Sequence, residues 1–179
     1  MYTFSESTNR LQTSQNSESR INLISGVKAD SSLDTYLRFA IDAQTTGLLE
    51  SEFAQEVLTV KGGLITPVPN KPSCVLGILS RRRRVYWAVD LAMLLGLQPL
   101  EQNILLYEVV LLSAQSLALA LVVPKIFGVM RASEHDFETN VNNFPLVIKP
   151  YVKGYVSDAG ETCYLLKAEN ILRSTILHS

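Results

Sequence analysis

Residues 104–123, ILLYEVVLLSAQSLALALVV, constrain the fold more than any other stretch, because they carry one charge, Glu108, over a length that could cross a bilayer as a helix. Two features turn the run away from a membrane. A carboxylate inside a span costs about 2.5 to 3.5 kcal/mol on insertion scales, and Ser113, Gln115 and Ser116 place polar groups at the centre of the run. Leu117, Leu119 and Leu121 then alternate with Ala118 and Ala120, a period of two that belongs to a strand. Two strands joined over residues 113–116 are predicted, with leucines on one face of the second and alanines on the other.

The same short-period grammar recurs along the chain. Residues 77–97, GILSRRRRVYWAVDLAMLLGL, hold two apolar runs either side of four consecutive arginines, the pattern of a β-hairpin with a charged tip. Asp90 then opens a short helix as its cap, and Gly96 closes it. Tyr36, Phe39 and Ile41 suggest a first strand, and residues 42–47 a turn. A short helical piece capped by Ser51 and a strand from Val57 are expected within residues 48–60. Pro67, Pro69 and Pro72 interrupt regular structure before Cys74. Residues 126–130 suit another strand, and residues 151–156 and 162–166 form a hairpin around Asp158, Ala159 and Gly160. Ala168, Ile171, Leu172, Thr175 and Ile176 are spaced for a C-terminal helix with one apolar face. Many short strands, few helices and no βαβ rhythm predict a mainly β, barrel-like architecture.

At 179 residues and 47% hydrophobic content, the chain can bury roughly 70% of its unfolded surface in one core. Residues 1–32 fall outside it: they hold eleven Ser or Thr and three charges of each sign, too polar for a core, and are read as a disordered tail. Ile21, Leu23, Ile24 and Val27 form its one apolar knot. Residues 33–179 are read as the folded domain. The start of the chain shows no basic or apolar signal region, so a cytoplasmic location is expected. Cys74 and Cys163 sit among apolar residues and are read as buried free thiols.

Chemistry is scarce. His135 and His178 lie in a polar connector and near the end, without partners in sequence for a metal site or a triad. No glycine-rich phosphate loop occurs, and the acid pairs Glu50 with Glu52 and Asp136 with Glu138 sit in polar contexts. No enzymatic activity and no cofactor are expected. A formal net charge of -1 leaves no general pull toward nucleic acid, so any such pull must be local. The local candidate is Arg81, Arg82, Arg83 and Arg84, followed by Tyr86 and Trp87. A nucleic-acid-binding β-barrel using these arginines is the alternative reading. Strand alternation sends Tyr86 and Trp87 to opposite faces, which denies them a common stacking platform and favours a protein contact.

This segment resembles the CheW family of bacterial chemosensory adaptors. The family signature runs Gly, two apolar residues, Asn, Leu, Arg, Gly, a strand ending in Pro, Val, Ile, Asp, Leu, and a helix closing near Gly. Gly77, Ile78 and Leu79 match its start, Arg82 its arginine, Val89, Asp90 and Leu91 its end, and Leu94, Leu95 and Gly96 its helix. Other landmarks follow in family order: Tyr36 to Phe39, Glu56 with Val57, residues 65–69 with their prolines, residues 121–123, Tyr151 to Gly154, and Leu165 onward. The likeness covers residues 34–177. The departures are Ser80 for Asn, Arg81 for an aliphatic residue, Arg83 for Gly, Trp87 for Pro and Pro124 for Asp. Arg83 at the glycine position implies a different turn or an open one.

The resemblance implies two SH3-like five-stranded β-barrel subdomains around a shared core, with short helices and a C-terminal helix, and no catalysis. It implies binding to the regulatory domain of a CheA-type histidine kinase and to the cytoplasmic tip of a methyl-accepting receptor. Such an adaptor serves chemotaxis, twitching motility or phototaxis, recruited to membrane receptor arrays without inserting into the membrane. Protein contacts are expected at Glu56, Val57, Gly77, Arg81, Arg82, Arg83, Trp87 and Gly154. A salt bridge from Arg82 to Glu56 within the domain, and tight packing at Gly77, are the structural roles open to those residues. Asp90 is expected to cap its helix.

Overall fold

The structure, a computed structural model, describes residues 33–100, 105–140, 142 and 144–178. The expected polar tail and its apolar knot lie outside the described residues. The strands in chain order are β1 (Asp34–Ala40), β2 (Thr46–Glu50), β3 (Ala54–Lys61), β4 (Ile65–Thr66), β5 (Val75–Arg81), β6 (Arg84–Asp90), β7 (Leu106–Ala114), β8 (Leu117–Val123), β9 (Lys125–Ala132), β10 (Val152–Asp158) and β11 (Glu161–Leu166). Two short α-helices, α1 (Leu91–Leu94) and α2 (Ala168–Leu172), complete the main elements.

The strands form two sheets, one in the order β10-β11-β2-β1-β9 and one in the order β3-β7-β8-β6-β5-β4. The second sheet reaches six strands through the two-residue β4. The architecture is the expected mainly β fold of two subdomains with a shared core. The chain enters and leaves through the first sheet, and the second is the continuous insertion from β3 to β8.

The alternation in residues 117–123 explains how the sheets meet. Leu119, Leu121 and Val123 of β8 pack into a central core with Leu37, Phe39 and Leu49 of the first sheet and with Leu91, Leu94, Ile171 and Leu172 of the helices. Ala120 and Val122, on the opposite face of β8, pack into the inside of the second sheet with Val60, Leu79 and Tyr86. β7 repeats the division, with Val110 and Leu112 in the central core and Val109 and Leu111 inside the second sheet. A third cluster, with Tyr36, Leu48, Ala132, Val156, Cys163 and Leu165, fills the inside of the first sheet. The β7–β8 pair is therefore apolar on both faces because it walls off two cores at once. Among the described residues no helix is long and apolar enough to cross a membrane.

An ion cluster ties the first sheet at one end. Arg38 of β1 reaches Asp158 at 2.9 Å and Glu161 at 2.6 Å, across the turn of the β10–β11 hairpin. The Thr46 hydroxyl also donates to Glu161. That hydrogen bond and Arg38 hold the Glu161 carboxyl below its ordinary pKa.

Several local expectations change. The segment after β2 is a 3-10 turn, Ser51–Phe53, preceded by Glu50 at the cap position without a side-chain cap bond. Ser51 is thus not a cap, and its hydroxyl is buried without a partner among the described residues. Leu48 and Leu49 belong to β2, and the next strand starts at Ala54 rather than Val57; paired neighbours on β1 and β7 override the local helical signal. Gly47 pairs with Phe39 inside β2 instead of forming the turn. Cys74 lies in the turn before β5, not in a strand, but is buried as expected. α2 stops after Leu172 and a 3-10 turn, Thr175–His178, follows. Ala168, Ile171 and Leu172 are buried, whereas Thr175 and Ile176 are exposed.

Leu121→Ala empties space in the shared core and should cost about 2 to 5 kcal/mol. Urea unfolding followed by circular dichroism and by Trp87 fluorescence should show one coincident transition, moved to lower urea. A group whose folded pKa is lowered contributes stability above its unfolded pKa and loses it as pH falls through the folded value. Glu161 should therefore support the fold near neutrality and lose that support on acidification. Glu161→Gln should flatten the acid limb of the pH–stability curve.

Candidate functional site

The site is the end of the second sheet where the β5–β6 hairpin turns. Arg81 and Arg84 pair as the last rung, and Arg82 and Arg83 form a two-residue turn with φ of 47° and 65°. Left-handed backbone at both central residues matches the right-handed twist of the strands. The turn type is thus the one a glycine would favour, and Arg83 occupies it with a side chain. The space is open, since Arg82, Arg83 and Arg84 are all exposed. A non-glycine residue in this region costs about 1 to 2 kcal/mol.

Strand parity explains Arg81. Gly77 and Leu79 point into the second sheet and are buried, and Arg81 continues the same register inward. Its Nη2 lies 2.6 Å from Glu56 Oε1, and Arg82 Nη2 lies 3.3 Å from the same oxygen. Glu56 has a side chain only 7% exposed. A carboxylate so buried requires a cation and hydrogen bonds to remain charged. The hydrogen bond to Glu56 in turn pushes the Arg81 guanidinium further above its usual pKa. β3 and β5 stand near opposite ends of the sheet order, so this ion pair forms because the sheet curls until its ends meet.

The structure thus brings Glu56, Arg81 and Arg82 together, with Arg83 exposed beside them. Val57 is half-buried at the margin of the central core. Trp87 is 39% exposed on the outer face of β6, between Ile78 of β5 and Leu119 of β8, with Lys71 Nζ 5.2 Å from its ring centroid. Tyr86 is buried on the opposite face, as alternation requires.

Gly77 and Gly154 are both buried packing positions. A Cβ on Gly77 would lie 2.2 Å from the Thr66 carbonyl oxygen, where φ is also +150°. A Cβ on Gly154 would lie 2.6 Å from the Glu138 carbonyl oxygen, in the other sheet. Asp90 caps α1 by accepting from Met93 N at 3.0 Å, and its second oxygen accepts from Leu100 N at 2.9 Å.

Sequence reasoning named Arg82 as the internal partner of Glu56 and missed the closer one, Arg81. The inward parity of Gly77, Leu79 and Arg81 was the available signal. It also missed Lys71, which no local pattern ties to Trp87. Among the described residues no cluster of His, Cys, Asp and Glu could hold a metal ion. Burial pushes the pKa of both thiols, Cys74 and Cys163, upward, away from the reactive thiolate.

Arg81→Ala should destabilise by about 1 to 3 kcal/mol by exposing the cost of the buried Glu56 carboxylate. Arg82→Ala should change stability by less than about 0.5 kcal/mol, and Arg83→Gly should raise it by about 1 kcal/mol through relief of the turn. Urea denaturation of the three variants checks this ranking.

A family model for the CheW-like domain matches residues 35–175, which takes in both sheets and the clasp between Glu56 and Arg81. No curated protein sequence matches the chain. Among solved structures it is similar to the crystal structure of the scaffolding protein TtCheW from Thermoanaerobacter tengcongensis. The TM-score is 0.67 at 18% identity, over 78% of this chain and 92% of that one. At such identity the likeness is one of fold, while the family model spans both subdomains. The chain therefore belongs to the CheW-like domain family, a family of non-enzymatic scaffolding adaptors of chemotaxis signalling.

Proposed function

We propose that this chain is a non-enzymatic adaptor that couples the cytoplasmic tip of a methyl-accepting receptor to the regulatory domain of a CheA-type histidine kinase. The observation that carries the proposal is the family match over residues 35–175, which spans both subdomains. The surface chemistry agrees with it. An exposed arginine turn next to Val85 and Trp87 suits protein contact, since arginine and tryptophan are favoured in such interfaces. Such an adaptor transmits geometry, and a two-sided core that fixes the two sheets relative to each other serves that purpose. In this reading the folded unit is residues 33–179, acting at receptor arrays on the cytoplasmic side of the membrane. Arg82, Arg83 and Trp87 touch a partner directly, with Val57 at the margin. Glu56 and Arg81 hold the turn, and Gly77 and Gly154 shape the strands that carry the contact.

Co-purification with a kinase regulatory domain and with a receptor tip tests the proposal. Wild type should retain both, and Arg82→Asp should lose about tenfold or more in affinity for at least one, as an interface arginine reversed in charge would. A wild-type protein that retains neither partner would sink the adaptor reading.

A further inference from the structure

Among the described residues the β5–β6 turn pairs its arginines with one acid, Glu56, and that acid is claimed unequally. Glu56 is held by Arg81 at 2.6 Å, while Arg82, at 3.3 Å, keeps a side chain that is 69% exposed. Among the described residues Arg83 and Arg84 form no ion pair, and both are exposed. The backbone at Arg82 and Arg83 is left-handed without glycine. Strain of this kind persists where the surrounding structure imposes it, and it collects at functional sites. Below the turn, Val85 is 64% exposed on the same face of β6 as Trp87, and Ile78 and Leu119 are the register neighbours of Trp87 on the adjoining strands. Cations at the tip thus continue into an apolar stripe along one strand.

We propose that Arg81 is a positioning residue that occupies Glu56 so that Arg82, Arg83 and Arg84 stand out as a cationic turn, and that this turn, with Val85 and Trp87, docks an acidic, apolar-faced segment of a partner protein. An aliphatic residue at position 81 would leave Arg82 as the sole counter-ion of a buried carboxylate, which would draw it inward and off the surface. With Arg81 holding Glu56 at 2.6 Å, Arg82 keeps only the longer 3.3 Å contact and a largely exposed guanidinium, and with Arg83 and Arg84 it can offer forks for paired hydrogen bonds to carboxylates. A protein segment fits better than a nucleic acid for two reasons. The inward burial of Tyr86 leaves one exposed ring, and Lys71 already lies over it. The register neighbours of that ring, Ile78 and Leu119, are apolar, which complements an apolar side chain rather than a phosphate backbone. The inference rests on the adaptor reading for the identity of the partner, but the ion-pair arrangement behind it does not.

Calorimetric binding of the full chain to the receptor tip and to the kinase regulatory domain, at low and high salt, tests the docking surface. The variant Arg82→Ser/Arg83→Gly/Arg84→Ser should lose about tenfold or more for one partner and flatten the salt dependence. Arg81→Leu should also weaken binding, by about threefold, and adding Glu56→Gln to it should restore wild-type affinity by releasing Arg82. A merely structural role for Arg81 would give no such restoration, and that outcome overturns the proposal, as does an unchanged affinity in Arg81→Leu. A second arm needs no partner. Arg82→Ala should leave the urea midpoint unchanged in the wild-type background and lower it in the Arg81→Leu background. Equal shifts in both backgrounds overturn the clamp, whereas wild-type binding to neither partner overturns the adaptor reading. Retention of a single-stranded oligo-uridine that the triple variant loses would overturn the acidic partner in favour of nucleic acid.

Discussion

Everything in this molecule is arranged around strands that are buried on both faces. β8 pairs with β7 along its whole length, from Val123 with Glu108 to Leu117 with Ala114. Their side chains are dealt alternately into the central core and the inside of the second sheet. Strands in that position must satisfy every backbone group by pairing, and both have neighbours on either side, β3 beyond β7 and β6 beyond β8. Large residues face the wide space between the sheets, and the alanines of β8 face the narrower interior where Tyr86 and Leu79 already fill the volume. The two subdomains therefore share a wall and cannot be treated as separate folding units.

Each sheet is then tied at one end by ions. In the first, Arg38 bridges from β1 to Asp158 and Glu161; in the second, Arg81 bridges from β5 to Glu56 on β3. Both ties join strands that are not neighbours in the sheet order, so each reports curvature rather than pairing. The Glu56 pair is the more enclosed and the more demanding, because a buried carboxylate without its cation is far worse than an apolar residue in the same place. Gly77 and Gly154 belong to the same economy of close approach, each letting a strand run against a carbonyl that a side chain would strike.

An adaptor of this family has no reaction to catalyse, so its physical requirements are stiffness and a readable surface. The shared wall supplies stiffness. In the proposed reading that surface is concentrated where the β5–β6 hairpin leaves the core, since the backbone there makes a tight left-handed turn whose Arg83 and Arg84 side chains stand in solvent. That the turn is built from arginines is this chain's departure from the family pattern, and charge at a rim acts mainly on encounter rate and partner choice.

Much of this was legible in the sequence. Period-two alternation in residues 117–121 identified the wall strand and even separated its two faces. The arginine run with flanking apolar stretches located the hairpin, and Asp90 announced the helix that follows. Local signals failed where pairing overrode them, as at residues 54–56, whose expected helical piece yields to the register with β7, and at Ser51, which lies inside a 3-10 turn with Glu50 at the cap position. The partner of Glu56 was decided by tertiary structure alone. Position 56 lies on β3 and position 81 on β5, separated by most of a sheet, and their contact depends on how far that sheet curls. Alternation along a strand is a property of neighbouring residues and can be read from the chain; the closing of a sheet is a sum over all its strands and cannot.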